Sequence, residues 1–283
     1  AHQPPSNSTI MKLHEHKQVQ TGPFKTGYYE GGSGETVVLI HGGGAGADSY
    51  GNWKNCFSLF AERARVLAMD MVGFGVSDAP APAGFDYTQQ ARTEQAIAFI
   101  EAVGQGPVHL VGNSMGGCTG LGVAMARPDL VRSLVLMGSA GLNHELNAAL
   151  APVVNYDFTL EGMRRIVGVL ANPAMEMSEE LLRYRYELSM QPDKKDAYRA
   201  TMGWVKAQGG LHYEERQIAA VKSRTLVFAG KDDLVIPLKE NVRFLELLEN
   251  STGYFIPHCR HWAMMEYPEV FSRVTLDFML LER

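Results

Sequence analysis

The sequence predicts an α/β protein in which a mostly parallel central sheet is covered by helices on both faces. Three features of its 283 residues support this fold class. Short, continuously apolar runs alternate with helical patterns, which is typical of parallel strands that are buried on both sides. Several of these runs end on glycine-rich turns, where a doubly wound sheet places its ligands. One stretch without buried strands, residues 143–217, interrupts the alternation and indicates an inserted helical cap.

The chain divides into three predicted parts. Residues 1–16 begin as a polar, proline-containing segment and are expected to form a disordered tail. Residues 17–142 and 218–283 carry the alternating strands and helices and form the predicted core. Residues 143–217 combine methionines and tyrosines at helical spacing, so we expect a cap above the carboxyl ends of the strands.

The elements of the core follow one another along the sequence. Two antiparallel strands are predicted within residues 17–30, and a helix within residues 87–103. A closing helix is predicted at residues 268–281. Six mostly apolar runs predict buried strands: residues 36–40, 65–69, 108–111, 131–137, 225–229 and 254–256.

Composition limits the classes of partner and compartment. The net charge is −5, so no nucleic acid partner is expected. No apolar run reaches membrane-spanning length, and the first residues lack the apolar core of a signal peptide, so no membrane association is expected. The three cysteines, Cys56, Cys118 and Cys259, are far apart, which favours a reducing, cytoplasmic location over a disulfide framework.

The most informative stretch is the strand–turn–helix at residues 108–126. Its turn, GNSMG at residues 112–116, matches G-x-S-x-G and predicts a nucleophile elbow. Glycine is required at Gly112 and Gly116 because a Cβ there would clash with the strained backbone around the serine. Ser114 is therefore the candidate nucleophile. The alternative is a glycine-rich turn with an incidental serine.

A serine nucleophile needs a base, and the base needs an orienting acid. After such an elbow the acid comes next in the chain and the histidine last. Asp233 follows the strand at 225–229 and His261 follows the last strand, so Ser114, Asp233 and His261 form the predicted triad. Asp232 competes with Asp233, and His258 competes with His261.

The histidine loop also admits a metal-binding interpretation. His258, Cys259 and His261 are potential ligands, but one short loop without a separated third ligand is a weak zinc signal. We therefore predict no metal and no organic cofactor.

The oxyanion of the reaction needs two backbone N–H donors. Met115, directly after the nucleophile, supplies one. The glycine-rich loop HGGG at residues 41–44 supplies the other, and Gly43 is the candidate. The alternative for this loop is a plain tight turn.

Seven motifs are spread over the predicted core: HGGGAGA at 41–47, GNW at 51–53, MDMVGFG at 69–75, GNSMGG at 112–117, LMGSAG at 136–141, GKDD at 230–233 and HCRHW at 258–262. Together they resemble the α/β-hydrolase superfamily, in particular the meta-cleavage product hydrolases, which cut carbon–carbon bonds in ring-opened aromatic compounds. The carbazole-pathway and dioxin- or biphenyl-pathway members are the most similar. The resemblance runs from about residue 17 to the C-terminus, and implies an α/β-hydrolase fold. Arg260 stands where this family often has glycine.

The resemblance implies a site with two ends. The substrates would be 2-hydroxy-6-oxo-hexa-2,4-dienoates that carry an aryl or alkyl group at C6. Their carboxylate would lie against Asn52, Asn113, Trp262 and an arginine of the cap, for which Arg185 is the best match and Arg183 the alternative. The C6 substituent would occupy an apolar pocket under the cap, and the sequence does not specify which substituent is preferred.

The implied reaction is hydrolysis of the C5–C6 bond to 2-hydroxypenta-2,4-dienoate and a carboxylic acid. It would proceed through an acyl-enzyme on Ser114 or through a gem-diol formed by water that His261 activates. A carboxylesterase with the same triad is the alternative enzyme, and a ligand receptor is the alternative without catalysis. Family analogy predicts a homodimer or a larger homo-oligomer.

Overall fold

An eight-stranded sheet lies at the centre of the computed structural model, which describes residues 10–175 and 177–282. Its strands are β1 (Lys17–Thr21), β2 (Phe24–Gly31), β3 (Thr36–Ile40), β4 (Arg65–Met69), β5 (Val108–Asn113), β6 (Val131–Met137), β7 (Thr225–Gly230) and β8 (Ser251–Ile256). They lie side by side in the order β1-β2-β4-β3-β5-β6-β7-β8. β2 pairs antiparallel with β1 and β4, and the other neighbours are parallel, so the predicted fold class is confirmed.

Helices cover the sheet on both faces. All five residues of β3 and all six of β5 are buried, and alternate residues of a strand point to opposite faces. The helices are α1 (Ser49–Trp53), α2 (Phe57–Ala61), α3 (Gln89–Val103), α4 (Met115–Ala126), α5 (Ala151–Val154), α6 (Leu160–Leu170), α7 (Glu179–Met190), α8 (Pro192–Gln208), α9 (Glu215–Ala219), α10 (Leu238–Leu247), α11 (Ala263–Glu266) and α12 (Pro268–Leu280). Among the described residues, no helix is long and apolar enough to cross a bilayer.

The boundaries of some elements differ from the prediction. Helix α3 begins at Gln89, two residues later than predicted, because Thr88 caps it by accepting a hydrogen bond from Ala91 N at 3.0 Å. Strand β8 begins at Ser251 rather than Tyr254, since its polar first half pairs with the start of β7. β5 and β7 extend to Asn113 and Gly230, and α12 ends at Leu280.

The cap is the helical segment between β6 and β7. Helices α5 to α9 lie in it, and the described part of this segment adds no strand to the sheet. We keep residues 143–217 as its proposed bounds, although α9 continues to Ala219. The cap reaches the loop that follows β8, where the backbone N–H of His261 donates to the carbonyl of Leu170 at 3.1 Å. The cap therefore lies over the carboxyl ends of the parallel strands.

Part of the predicted disordered tail packs against the core. Residues 1–9 lie outside the described residues. Met11 is buried in the main hydrophobic cluster, and Glu15 N donates to Lys12 O at 3.1 Å in a turn. The prediction of disorder therefore does not hold for residues 10–16.

Candidate active site

The loop between β5 and α4 holds Ser114 in a strained conformation. Its φ is 55° and its ψ is −116°, a region that residues other than glycine rarely adopt. The neighbouring glycines make the turn possible. A Cβ on Gly112 would lie 2.3 Å from Gly116 O, and a Cβ on Gly116 would lie 2.2 Å from Ile40 O. This strand–turn–helix geometry is that of a nucleophile elbow.

The loops after β7 and β8 bring an acid and a base together. His261 Nδ1 lies 2.7 Å from Asp233 Oδ2, and both side chains are buried. Asp233 Oδ1 accepts hydrogen bonds from the backbone N–H groups of Val235 and Ile236, each at 2.9 Å. These bonds fix the carboxylate, which in turn fixes the Nδ1–H tautomer of His261. Nε2 is then the ring nitrogen that can accept a proton.

The competing residues do not take part in this pair. Asp232 and His258 are both exposed at the surface, whereas Asp233 and His261 are buried. Among the described residues, no group of three histidine, cysteine or acidic side chains could hold a metal ion. Each of the three cysteines is a free, buried thiol.

One cavity collects the predicted site residues. It has a volume of about 740 Å³, part of it open to solvent, and lies between the cap and the carboxyl ends of the strands. Asp233 is absent from its lining because it lies behind His261. Eight of the nine predicted site residues line the cavity: Gly43, Asn52, Asn113, Ser114, Met115, Arg185, His261 and Trp262.

One end of the cavity carries a buried cation. Arg185 is only 3% exposed, its Nη2 donates to Ala45 O at 2.9 Å, and its guanidinium lies 5.2 Å from the centroid of the Trp262 ring. Arg185 Nε and Asn52 Nδ2 are buried donors that no described residue accepts from. Unmade hydrogen bonds of this kind are costly, and a bound carboxylate would satisfy them. Arg183 is exposed and does not line the cavity.

Within the described part of the chain, Asn113, which lines the cavity, has an unpartnered acceptor but no free donor. Its Nδ2 donates to the carbonyl of Met137 at 2.9 Å, so the orientation of the amide is determined by that carbonyl. Its Oδ1 is buried and has no partner among the described residues. Asn113 is therefore better suited to a substrate hydroxyl than to the carboxylate with which the resemblance placed it.

The candidate oxyanion loop is held by His41. This residue is fully buried, its Nδ1 lies 2.6 Å from Gly42 O, and its Nε2 accepts a hydrogen bond from Met71 N at 3.0 Å. Burial lowers the pKa of His41 to about 4, so the ring is neutral with its proton on Nδ1. A trans peptide points its carbonyl and its N–H in opposite directions. Because His41 binds Gly42 O, the N–H of Gly43 points away from the His41 ring.

Arg260, the departure from the family pattern, ties the histidine loop to the cap. Its Nη1 donates to Gly168 O at 3.2 Å and to Ala171 O at 3.3 Å, near the end of α6. The larger side chain therefore adds a contact between loop and cap while His261 keeps its bond to Asp233.

A buried acid that we did not predict connects the two elements of the cationic end. Asp48 caps α1, which carries Asn52, by accepting from Gly51 N at 2.7 Å. Its other oxygen accepts a hydrogen bond from the hydroxyl of Tyr184 on α7, the helix that carries Arg185. Burial and the neighbouring Asp70 raise the pKa of Asp48 to about 6. An aspartate before a helix is a visible N-cap signal, but its partner 136 residues away is not.

Tyr184→Phe is expected to lower the free energy of unfolding by about 1–3 kcal/mol, because a buried oxygen of Asp48 loses its donor. It should also raise KM more than it lowers kcat. The reason is that α1, which carries Asn52, and α7, which carries Arg185, are then less firmly held together. Denaturant unfolding and steady-state kinetics measure both effects. Tyr186→Phe, half-buried on the same helix, is the matched control. Equal unfolding and equal KM in the two variants would contradict a role for the Asp48–Tyr184 bond.

The fold and the elbow place the chain in a known class. Residues 35–268 match the family model described as the alpha/beta hydrolase fold. The 2-hydroxy-6-oxo-6-(2'-aminophenyl)hexa-2,4-dienoic acid hydrolase of Metapseudomonas resinovorans is 47% identical over 92% of this chain and 89% of its own length. The 2-hydroxy-6-oxo-2,4-heptadienoate hydrolase of Pseudomonas putida is 33% identical over 94% of this chain and 96% of its own length.

Solved structures give the same assignment. A serine hydrolase involved in carbazole degradation superposes with a TM-score of 0.86 at 46% identity, covering 94% of this chain and 98% of its own. A meta-cleavage product hydrolase from Pseudomonas fluorescens IP01 superposes with a TM-score of 0.86 at 30% identity, covering 93% and 96%. The chain therefore belongs to the α/β-hydrolase family and, within it, to the meta-cleavage product hydrolases, serine enzymes that hydrolyse carbon–carbon bonds. The predicted family and enzyme class are confirmed.

Proposed function

We propose that this protein hydrolyses the C5–C6 bond of 2-hydroxy-6-oxo-6-aryl-hexa-2,4-dienoates, with Ser114, His261 and Asp233 as its catalytic triad. The products are 2-hydroxypenta-2,4-dienoate and an aromatic carboxylic acid. The observation that carries the proposal is a single cavity that combines a buried cation, an apolar portion and the strained serine. The relative that acts on an aminophenyl dienoate supports an aryl group at C6.

The cationic end binds the dienoate carboxylate. Arg185 and Asn52 supply donors that are buried and unpartnered in the free protein. A planar guanidinium matches a carboxylate in shape and charge. The Trp262 ring lies 5.2 Å from the guanidinium carbon and contributes a cation–π contact. Asn113 Oδ1 accepts from the hydroxyl at C2, because its amide nitrogen is already bound to Met137 O.

The apolar portion binds the group at C6. Its walls come from both the cap and the loop that carries Asp233. Burial of an aryl ring against aliphatic side chains is favourable by about 25 cal/mol per Å² of apolar surface removed from water. A phenyl-sized group therefore binds there more strongly than a methyl group. The side chains concerned include Leu150, Val153, Met202, Val205, Val235 and Ile236.

The reaction begins with a change of tautomer. Transfer of the proton from the C2 hydroxyl to C5 gives a 2,6-dioxo compound whose C2 carbonyl can accept the electrons of the breaking bond. Ser114 Oγ then attacks C6 and His261 Nε2 takes its proton. The N–H groups of Gly43 and Met115 stabilise the negative charge on the C6 oxygen.

Collapse of this intermediate breaks C5–C6. The bonding electrons move through C4 and C3 to the C2 oxygen, which takes the proton from His261 and leaves as 2-hydroxypentadienoate. The acyl group stays on Ser114. His261 then removes a proton from water, whose oxygen attacks the acyl carbon, and returns that proton to Ser114 as the aromatic acid departs. Asp233 stabilises the imidazolium in both halves.

The test is a substrate panel followed by absorbance, since the ring-opened dienoates are coloured and their products are not. We expect kcat/KM to be higher for 6-phenyl and 6-(2'-aminophenyl) dienoates than for the 6-methyl dienoate. Chromatography should find one acid for each dienoate consumed. Turnover of aryl esters without turnover of any dienoate would indicate the carboxylesterase instead.

We also propose that the protein is a cytoplasmic homodimer or larger homo-oligomer. The resemblance to the family supports the assembly, and the free thiols of Cys56, Cys118 and Cys259 are compatible with a reducing compartment. Light scattering of the purified chain measures the assembly directly.

A further inference from the structure

Asn143 is a polar side chain in the apolar portion of the cavity. It is 5% exposed and lines the cavity. Its backbone N–H donates to the carbonyl of Leu211 at 3.0 Å, and Leu211 and Leu146 are apolar lining residues beside it. The other amide, hydroxyl, imidazole and guanidinium side chains of the lining already have a place in the triad or at the cationic end. Asn143 has none.

The orientation of the Asn143 amide is determined by Glu240 on α10. Asn143 Nδ2 lies 3.2 Å and 3.3 Å from the two carboxylate oxygens of Glu240. A carboxylate can only accept hydrogen bonds, so it must face the amide nitrogen. Oδ1 is then turned away from Glu240 as an acceptor, and no described residue donates to it.

The loop that leads to Asn143 packs against the acid–histidine pair. Asn143 follows β6 in the loop that begins at Gly138, where a Cβ would lie 3.2 Å from both His261 Nδ1 and Asp233 Oδ2. Asn143, Ser114 and His261 line the same cavity. The relative that is 47% identical acts on a dienoate whose aryl group carries an amine at the 2' position, next to the carbon bonded to C6.

We infer that Asn143 Oδ1 selects substrates whose C6 aryl group carries an N–H or O–H donor at the ortho position. This inference rests on the proposed function and specifies its aryl group. An ortho amine donates to this acceptor once the substrate has displaced water from the cavity, whereas an apolar group of the same size leaves the acceptor without a partner. One such hydrogen bond changes kcat/KM about tenfold between a substrate that donates to Asn143 and one that does not.

The test compares the 2'-aminophenyl and 2'-methylphenyl dienoates, whose ortho groups are similar in size while only the amine donates. The measured quantity is the ratio of the two kcat/KM values. We expect the protein to favour the amine about tenfold. Asn143→Leu keeps the size of the side chain and removes the acceptor, so it should lower the ratio about tenfold.

Glu240→Gln tests the positioning separately. A glutamine amide can donate to Asn143 Oδ1, which lets the Asn143 amide reverse and present Nδ2 to the substrate, so the ratio should fall. Glu246→Gln, an exposed position on the same helix, is the matched control and should keep the original ratio. Circular dichroism shows whether Asn143→Leu folds. If it does not, the ratios measured for Glu240→Gln and Glu246→Gln decide whether Asn143 selects the ortho amine.

The outcomes separate this inference from the proposed function. A ratio that stays unchanged in Asn143→Leu or Glu240→Gln, with both dienoates still hydrolysed, overturns the role of Asn143 and leaves the proposed function intact. Failure of the unaltered protein to hydrolyse either dienoate overturns the proposed function itself.

Discussion

Ser114→Ala is expected to lower kcat/KM for an aryl dienoate by about 10⁴- to 10⁶-fold, while the dienoate still binds. The substitution removes the only atom that can form the acyl bond in the proposed route. It leaves Arg185 and Asn52 to hold the carboxylate and leaves the two backbone donors of Gly43 and Met115 in place. The residual rate would come from binding and from the oxyanion donors alone.

Single-turnover absorbance measures the residual rate, and equilibrium dialysis measures the dissociation constant of the bound dienoate. Ser58→Ala is a suitable control, because Ser58 lies on α2 and does not line the cavity. A rate within tenfold of that of the unaltered protein would contradict nucleophilic attack by Ser114. That result would favour direct activation of water by His261 and a gem-diol intermediate.

Arg185→Gln is expected to lower kcat/KM by about 10²- to 10³-fold, mostly through KM. The guanidinium is buried with an unpartnered Nε, so the substrate carboxylate is its natural counter-charge. Burial lowers the pKa of Arg185, and Asp48 partly opposes that shift. Truncating one partner of a buried, hydrogen-bonded charge pair typically costs about 2–5 kcal/mol, because the other charge is left unpaired.

A substrate analogue makes this test specific. A dienoate whose carboxylate is replaced by a carboxamide should lose most of its kcat/KM in the unaltered protein and lose little more in Arg185→Gln. Arg183→Gln, exposed on the same helix, should behave like the unaltered protein. Equal sensitivity of the acid and the amide to Arg185→Gln would show that the arginine only supports the cap.

Most of the sheet was predictable because its buried strands are rich in apolar residues. The bounds of β3, β4 and β6 match the predicted runs, since each run ends where the apolar residues end. Helices α1 and α2 were not predicted. Their five-residue lengths carry too little periodicity, and α1 depends on the cap supplied by Asp48. Helix α10 was also missed.

In the active site, too, local sequence signals were predictable and contacts between distant residues were not. The elbow and the acid–histidine order are local signals, and they identify Ser114, Asp233 and His261 without any knowledge of contacts. The pair Asn143–Glu240 joins residues 97 positions apart, and Asp48–Tyr184 joins residues 136 apart. No pattern in one sequence indicates which distant residue satisfies a buried polar group, so these supporting contacts need the three-dimensional structure.

The positive φ of Ser114 has a consequence for attempts to engineer this protein. A backbone held in such a region costs about 1–3 kcal/mol, and glycine would adopt it with less strain. Selection for heat resistance alone would therefore favour Ser114→Gly. The selected variants would lose turnover as they gained thermal stability. A library of this protein should be sorted by colour loss of the dienoate before it is sorted by melting temperature.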